Sequence, residues 1–199
     1  MTTLPIALFL VAAGTGPAAC MLDKLEAASL LEAGFEQTDF WALTRETEVF
    51  TGTLVLSRDG RFLLDYSDPG GRRMGFDGEA LYTVDPIYRQ VLIDSSSQPA
   101  SFTALLESIR DPEIPAVSSC SGDTVFVVMD GPTGQGISRM EFCFLSSDSL
   151  PRGLSTFDQN GNWSRWRLTG VSVSDDTPGS VFELVTPAAA FALRLMREI

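Results

Sequence analysis

The chain has 199 residues, 44% of them hydrophobic, and acids outnumber bases 26 to 14 for a net charge of −12. That is enough for one core of ordinary size. The charge excludes a general nucleic-acid binder, because neutralising phosphates takes clustered Lys and Arg, and the close basic pairs are only Arg72–Arg73 and Arg165–Arg167. Histidine is absent, which removes Ser–His and Cys–His catalysis and His-ligated zinc. No G-x-S-x-G run occurs, and acids such as Asp59, Asp77, Asp85 and Asp158 stand where turns are expected. No enzyme, cofactor or metal site is expected.

Residues 1–20, MTTLPIALFLVAAGTGPAAC, read as an export signal: Leu4 to Ala13 is an apolar core too short to span a bilayer, followed by small residues suited to cleavage. The segment has no Lys or Arg before that core, and the other reading is a buried N-terminal helix. Cys20 follows Ala-Ala, the position of an acylated cysteine in a bacterial lipoprotein signal. Residues 21–199 then form a single domain.

Residues 22–35, LDKLEAASLLEAGF, predict an amphipathic helix ended by Gly34. From residue 46 short strands follow: ETEVFTGTLVLSR, RFLLDYS, RRMGFDG, ALYTVDP and RQVLIDS, with hairpin signals at Asp59-Gly60 and Asp77-Gly78. Alternate residues of a strand share a face, so Arg58 is in register with Leu54 and Leu56. It either leaves the sheet at the turn or points its charge into an apolar cavity. Residues 101–113 predict a short helix with Phe102, Leu105, Leu106 and Ile109 on one face, capped by Ser101 and stopped by Pro112. Strands resume with TVFVVMD, SRMEFCFLS, GLSTFDQ, NWSRWRLTGVSVS and SVFELVT. The tail, residues 188–199, is helix-prone and apolar. Short turns between successive strands imply antiparallel pairing. The fold class is therefore α+β, one sheet of about ten strands with two or three helices, and a sheet of that width must curl or be covered.

Cys120 and Cys143 flank the turn-rich run MDGPTGQG. If the flanking strands pair about its midpoint, the two cysteines come opposite each other and form a disulfide in an oxidising compartment. A slip of one residue puts them on opposite faces.

Several runs, in order, resemble the LolA type of periplasmic lipoprotein carrier and, more distantly, the LolB type of lipoprotein acceptor. They are GFEQT at 34–38, FTGTLVLSRDGRF at 50–62, Tyr66 and Pro69, FDGEALYTVDPIYRQV at 76–91, LSTFDQNGNWSRWRLTGV at 154–171 and VFELVTP at 181–187. The resemblance spans about residues 22–187. It implies a curled antiparallel sheet, an incomplete β-barrel, whose apolar concave face is closed by helices and holds fatty acyl chains. An acyl chain gains about 0.8 kcal/mol per CH₂ on leaving water, on the order of 12 kcal/mol for a 16-carbon chain, so lipoproteins must be shielded to cross an aqueous compartment.

On this reading Leu54, Leu56, Phe62 and Leu64 floor the cavity, Phe76 and Leu81 also line it, and Phe102, Leu105, Leu106 and Ile109 close it. The same positions, and Val91, would serve equally as ordinary core. Arg58 falls where the carriers place an arginine that bonds to lid backbone and latches the cavity shut. Asp59 stands where they have proline, and is placed to pair with Arg58 and neutralise it. Trp41, Trp163 and Trp166 read either as membrane-interface anchors or as core and rim. The implied protein is a periplasmic monomer that takes acylated lipoproteins or other lipids from an inner-membrane releasing transporter and passes them to an outer-membrane acceptor. Two alternatives stay open: a membrane-anchored acceptor acylated at Cys20, and a lipid-binding adaptor of a lipid-exporting transporter. The tail reads as a third lid helix or a docking face.

Overall fold

The computed structural model describes residues 8–9, 17–68, 70–95, 116–130, 136–176, 179–183 and 191–195. Among them, one α-helix, α1 (Pro17–Ala27), accompanies a single sheet of thirteen strands. In chain order the strands are β1 (Leu8–Phe9), β2 (Leu30–Trp41), β3 (Glu46–Ser57), β4 (Phe62–Asp68), β5 (Arg73–Phe76), β6 (Leu81–Asp85), β7 (Gln90–Asp94), β8 (Ala116–Ser121), β9 (Thr124–Asp130), β10 (Ile137–Leu145), β11 (Pro151–Asp158), β12 (Trp163–Ser174) and β13 (Phe191–Leu195). Across the sheet they run β1-β8-β9-β10-β11-β12-β2-β3-β4-β5-β6-β7-β13, so the sheet does not close on itself. Every pairing is antiparallel except β13 with β7, which is parallel. An open sheet of this width curls.

The strands from β3 to β7 and from β9 to β12 stand where the alternation and turn signals place them. The aspartates between them act as expected: Asp77 Oδ1 accepts from the backbone N–H of Glu79 and Ala80, Asp85 Oδ1 from Ile87 and Tyr88, and Asp158 Oδ1 from Asn160 and Asn162.

Five segments differ from expectation. β1 and β8 are strands where the sequence predicts none. The helix expected over 22–35 ends at Ala27, and Leu30 begins the long strand β2. Leu31, Ala33 and Phe35 are buried at alternate positions, a period of two that won over the helical reading of the double leucine. Gly34 is no stop signal: a Cβ there would lie 2.8 Å from Thr169 Oγ1, so the glycine admits close approach of β12. The start of SVFELVT is a 3₁₀ turn, Gly179–Phe182, not a strand. In the tail, residues expected to be helical instead form β13, whose backbone fills the open edge of β7. The expected helix at 101–113, with Phe102, Leu105, Leu106 and Ile109, lies outside the described residues. Helical cover of the sheet, as far as the described residues go, is α1 alone.

Helix α1 lies on one face of the sheet, here the inner face. Met21, Leu22 and Leu25 pack with Leu31 and Ala33 of β2, Val125, Val127 and Met129 of β9, and Met140, Phe142 and Phe144 of β10. A second buried group on the same sheet face joins Phe35, Leu54, Leu64 and Tyr66. A third, Tyr82, Val84 and Val91 with Leu63 and Ile93, belongs to the opposite face.

Candidate functional site

The register of the central strands makes the inner face one continuous apolar surface. Ala33 stands opposite Leu54 and Leu54 opposite Leu64; Leu31 stands opposite Leu56, Leu56 opposite Phe62, Phe62 opposite Phe76, and Phe76 opposite Leu81. The four expected floor residues, Leu54, Leu56, Phe62 and Leu64, and the two further lining residues, Phe76 and Leu81, are thus brought onto one face. Leu54 and Leu64 are buried, and Leu56 and Phe62 are partly buried against them. Aromatic rings continue the surface: Phe35 meets Tyr66 edge-on at 5.4 Å and Trp166 at 5.0 Å, and Phe50 meets Tyr66 at 5.9 Å. Phe35 can lie across β3 because its cross-strand partner is Gly52. Burial pushes the Tyr66 hydroxyl above its ordinary value, with the Arg72 charge opposing and Asp39 assisting. Val91 is core of the other face, where Tyr82 donates to the Phe182 carbonyl at 3.2 Å and the Arg61 guanidinium lies 4.8 Å from the Phe182 ring.

One end of this surface is where α1 enters β2. Arg58, exposed at the β3–β4 turn, donates from Nη2 to the carbonyl of Glu26 in the last turn of α1, and its backbone N–H reaches the Ser29 carbonyl at 3.0 Å. A cation there meets the carbonyls that a helix end leaves without intrahelical partners. Arg58 has left the sheet and holds the helix end. Asp59 does not neutralise it: its carboxylate pairs with Arg61 at 2.8 Å. Partial burial acts to raise the Asp59 pKa, but the bonds from Arg61 and Ser57 outweigh it and hold the group below its ordinary value. Lys24 Nζ makes a second tie, to the Asp148 carbonyl at 2.7 Å.

Toward the other end the inner face turns polar at one level on adjacent strands. Thr156, Ser164 and Asp39 stand in register across β11, β12 and β2. Ser164 donates to Asp39 Oδ1 at 2.5 Å, Trp166 Nε1 to Ser164 Oγ at 3.1 Å, and Gln37 Nε2 to Asp39 Oδ2 at 2.7 Å. Beside them is a groove of about 260 Å³ lined by Gln37, Asp39, Thr156, Ser164, Trp41 and Trp163, among others. Arg72 covers the adjoining rings, 5.4 Å from Tyr66 and 5.8 Å from Phe50. Among the described residues two buried side-chain atoms find no hydrogen-bond partner, Gln37 Oε1 and Arg72 Nε. The sequence shows Gln37 within GFEQT and Arg72 within a basic pair, and assigns neither a role.

The three tryptophans separate. Trp166 packs inside against Phe35; Trp163 stacks on Phe40 at 5.6 Å; Trp41 is 47% exposed at the β2–β3 hairpin tip, near the fully exposed Leu43. The expected disulfide is not formed: Cys20, Cys120 and Cys143 are all free. The chain turns back at Gly122–Asp123, so Cys120 lies on β8 opposite Val125, and Cys143 lies on β10 opposite Phe126. Val125 and Phe126 are adjacent and point to opposite faces of β9, so the two thiols do as well.

Residues 26–185 match the family model described as "Outer membrane lipoprotein carrier protein LolA". The outer-membrane lipoprotein carrier protein of Dechloromonas aromatica (strain RCB) is 24% identical over 174 residues, covering 84% of this chain and 83% of that protein. Its counterpart in Legionella pneumophila (strain Corby) is 24% identical over 171 residues, covering 83% of each. An uncharacterized conserved protein from Thermus thermophilus has the same fold, with a TM-score of 0.55 at 12% identity over 90% of this chain and all of that one.

Proposed function

Because the chain belongs to the LolA family of outer-membrane lipoprotein carrier proteins, we propose that it is a periplasmic carrier that shields the acyl chains of lipoproteins on its inner face and delivers them toward the outer membrane. The observation that carries this reading is the unbroken apolar face running through Leu54, Leu56, Phe62, Leu64, Phe76 and Leu81, continuous with Leu31 and Ala33 beneath α1. Such a surface gains roughly 25 cal/mol for each Å² of acyl chain it removes from water, with no requirement on the identity of the cargo protein. Its non-enzymatic role needs no titrating nucleophile. An inner-membrane releasing transporter would load it and an outer-membrane acceptor would empty it.

A carrier must release what it binds, and the tie from Arg58 to Glu26 suits that need. It is a side-chain bond to a backbone carbonyl of the helix end, made at the molecular surface and outside the strand ladder. Replacing Arg58 with Leu is expected to impair transfer of a labelled triacylated lipoprotein from donor to acceptor membranes several-fold, while the melting temperature falls by no more than about 2 °C, the scale of a single exposed contact. Transfer at the wild-type rate would remove the latch and leave α1 as fixed structure.

The anchored-acceptor reading is favoured by one observation, the exposure of Cys20 on α1. The intact mass of the denatured protein from a bacterial envelope decides between them. A chain without additions supports the free carrier; a chain beginning at Cys20 and heavier by a diacylglyceryl group and an acyl chain makes it the acceptor.

A further inference from the structure

The inner face has an apolar end and a polar end, and the two orphaned atoms lie at the boundary. Gln37 stands directly opposite Phe50 across β2 and β3, and the Arg72 guanidinium lies 5.8 Å from the same ring. The orientation of the Gln37 amide follows from its neighbour: the Asp39 carboxylate only accepts, so Nε2 faces it at 2.7 Å and Oε1 is left buried and bare. Arg72 Nε is a buried donor in the same situation. Buried polar groups in a folded chain are almost always bonded, and each exception calls for a reason.

We infer that this boundary is a polar subsite for the amide that joins an acyl chain to its peptide. An amide carries one N–H and one C=O, the complement of the bare Gln37 acceptor and the bare Arg72 donor, whose residues both adjoin Phe50. An ester offers carbonyl and ether oxygens but no donor, so it leaves Gln37 Oε1 unsatisfied. The acyl chain then extends over Phe35, Leu54 and Leu64. The peptide leaves through the groove that Gln37 itself lines, with Asp39 and Ser164 on its wall. The subsite rests on the carrier reading and adds a selectivity to it: acyl groups bound through nitrogen over those bound only through oxygen.

The test uses the full chain and two synthetic ligands, a palmitoyl group joined to a neutral dipeptide through an amide or through an ester at the same position. Dissociation constants come from displacement of a fluorescent fatty acid. The wild-type protein is expected to hold the amide about tenfold more tightly. Gln37→Leu is expected to abolish that preference, and Arg72→Met to reduce it. Gln37→Met serves the same purpose if the leucine variant does not fold. Equal affinities in the wild type, or a preference that survives Gln37→Leu, would overturn the subsite and leave the carrier standing. A wild-type chain that binds neither ligand overturns the carrier reading and the subsite together.

Discussion

Gly52 has almost no room around it: a Cβ there would sit 2.2 Å from the Asp65 carbonyl oxygen and 2.9 Å from two atoms of the Phe35 ring. Backbone is the first obstacle, so the strain is not relieved by a rotamer change. Gly52→Ala is expected to destabilise by about 1–3 kcal/mol, a loss of roughly 2–10 °C in melting temperature for a chain of this size. A thermal melt checks it, and an unchanged midpoint would mean that β3 and β4 do not pair as described. Leu54, Leu56 and Leu64 were legible as a set because alternation reports a shared face. Asp59 was harder: its place in the sequence suggested Arg58 as the partner, and the turn geometry selects Arg61 instead. The orphans were not legible at all. Gln37 interrupts an apolar run, but nothing in the string says whether its oxygen finds a donor, since that depends on Asp39 taking its nitrogen and on a ring from the next strand.

Among the elements, hairpins were the most readable, because Asp-Gly and Asp-rich turns carry their own geometry. The α1–β2 junction was not. Leu22 and Leu25 follow a helical period and Leu31, Ala33 and Phe35 a period of two, and the Leu30–Leu31 pair at the junction is compatible with both. The tail failed for a different reason: an alanine-rich segment favours helix on its own, and the vacant hydrogen-bonding edge of β7 overrides that preference. Strand register also decides the cysteines. Reductant is expected to leave the melting temperature unchanged. A maleimide is expected to label Cys120, which is exposed, faster than Cys143, whose thiol burial pushes above its ordinary pKa against the Arg152 charge. A lowered melt on reduction would restore the bridge. Within α1, Leu25 is 5% exposed, and Leu25→Ala is expected to cost about 2–4 kcal/mol; a cost under about 0.5 kcal/mol, the scale of an ordinary surface substitution, would mean that the helix does not rest on β9 and β10.

For the whole molecule the net charge of −12 favours solubility at neutral pH, while several turns depend on ionised carboxylates. At Asp158, what desolvation there is acts upward, but bonds from Asn162 and Asn160 prevail and hold the group below 3.8; at Asp123 the hydroxyls of Ser146 and Ser147 do the same. A folded pKa below the unfolded one stabilises above the ordinary value and loses that contribution as pH falls through the folded value. The difference in melting temperature between wild type and Asp158→Asn is therefore expected to be largest above about pH 5 and to shrink below about pH 4. A difference that stays constant through that range would show that the carboxylate's charge is not what holds the turn.

Behind the β4–β7 half of the sheet, Tyr82, Val84 and Val91 are closed in by Phe182. That half is braced from its outer side, so its inner side need not be filled for the strands to stay in register. On the proposed carrier reading, the work of standing up and the work of holding a guest would fall on opposite sides of the same wall, so that emptying the protein would not undo it.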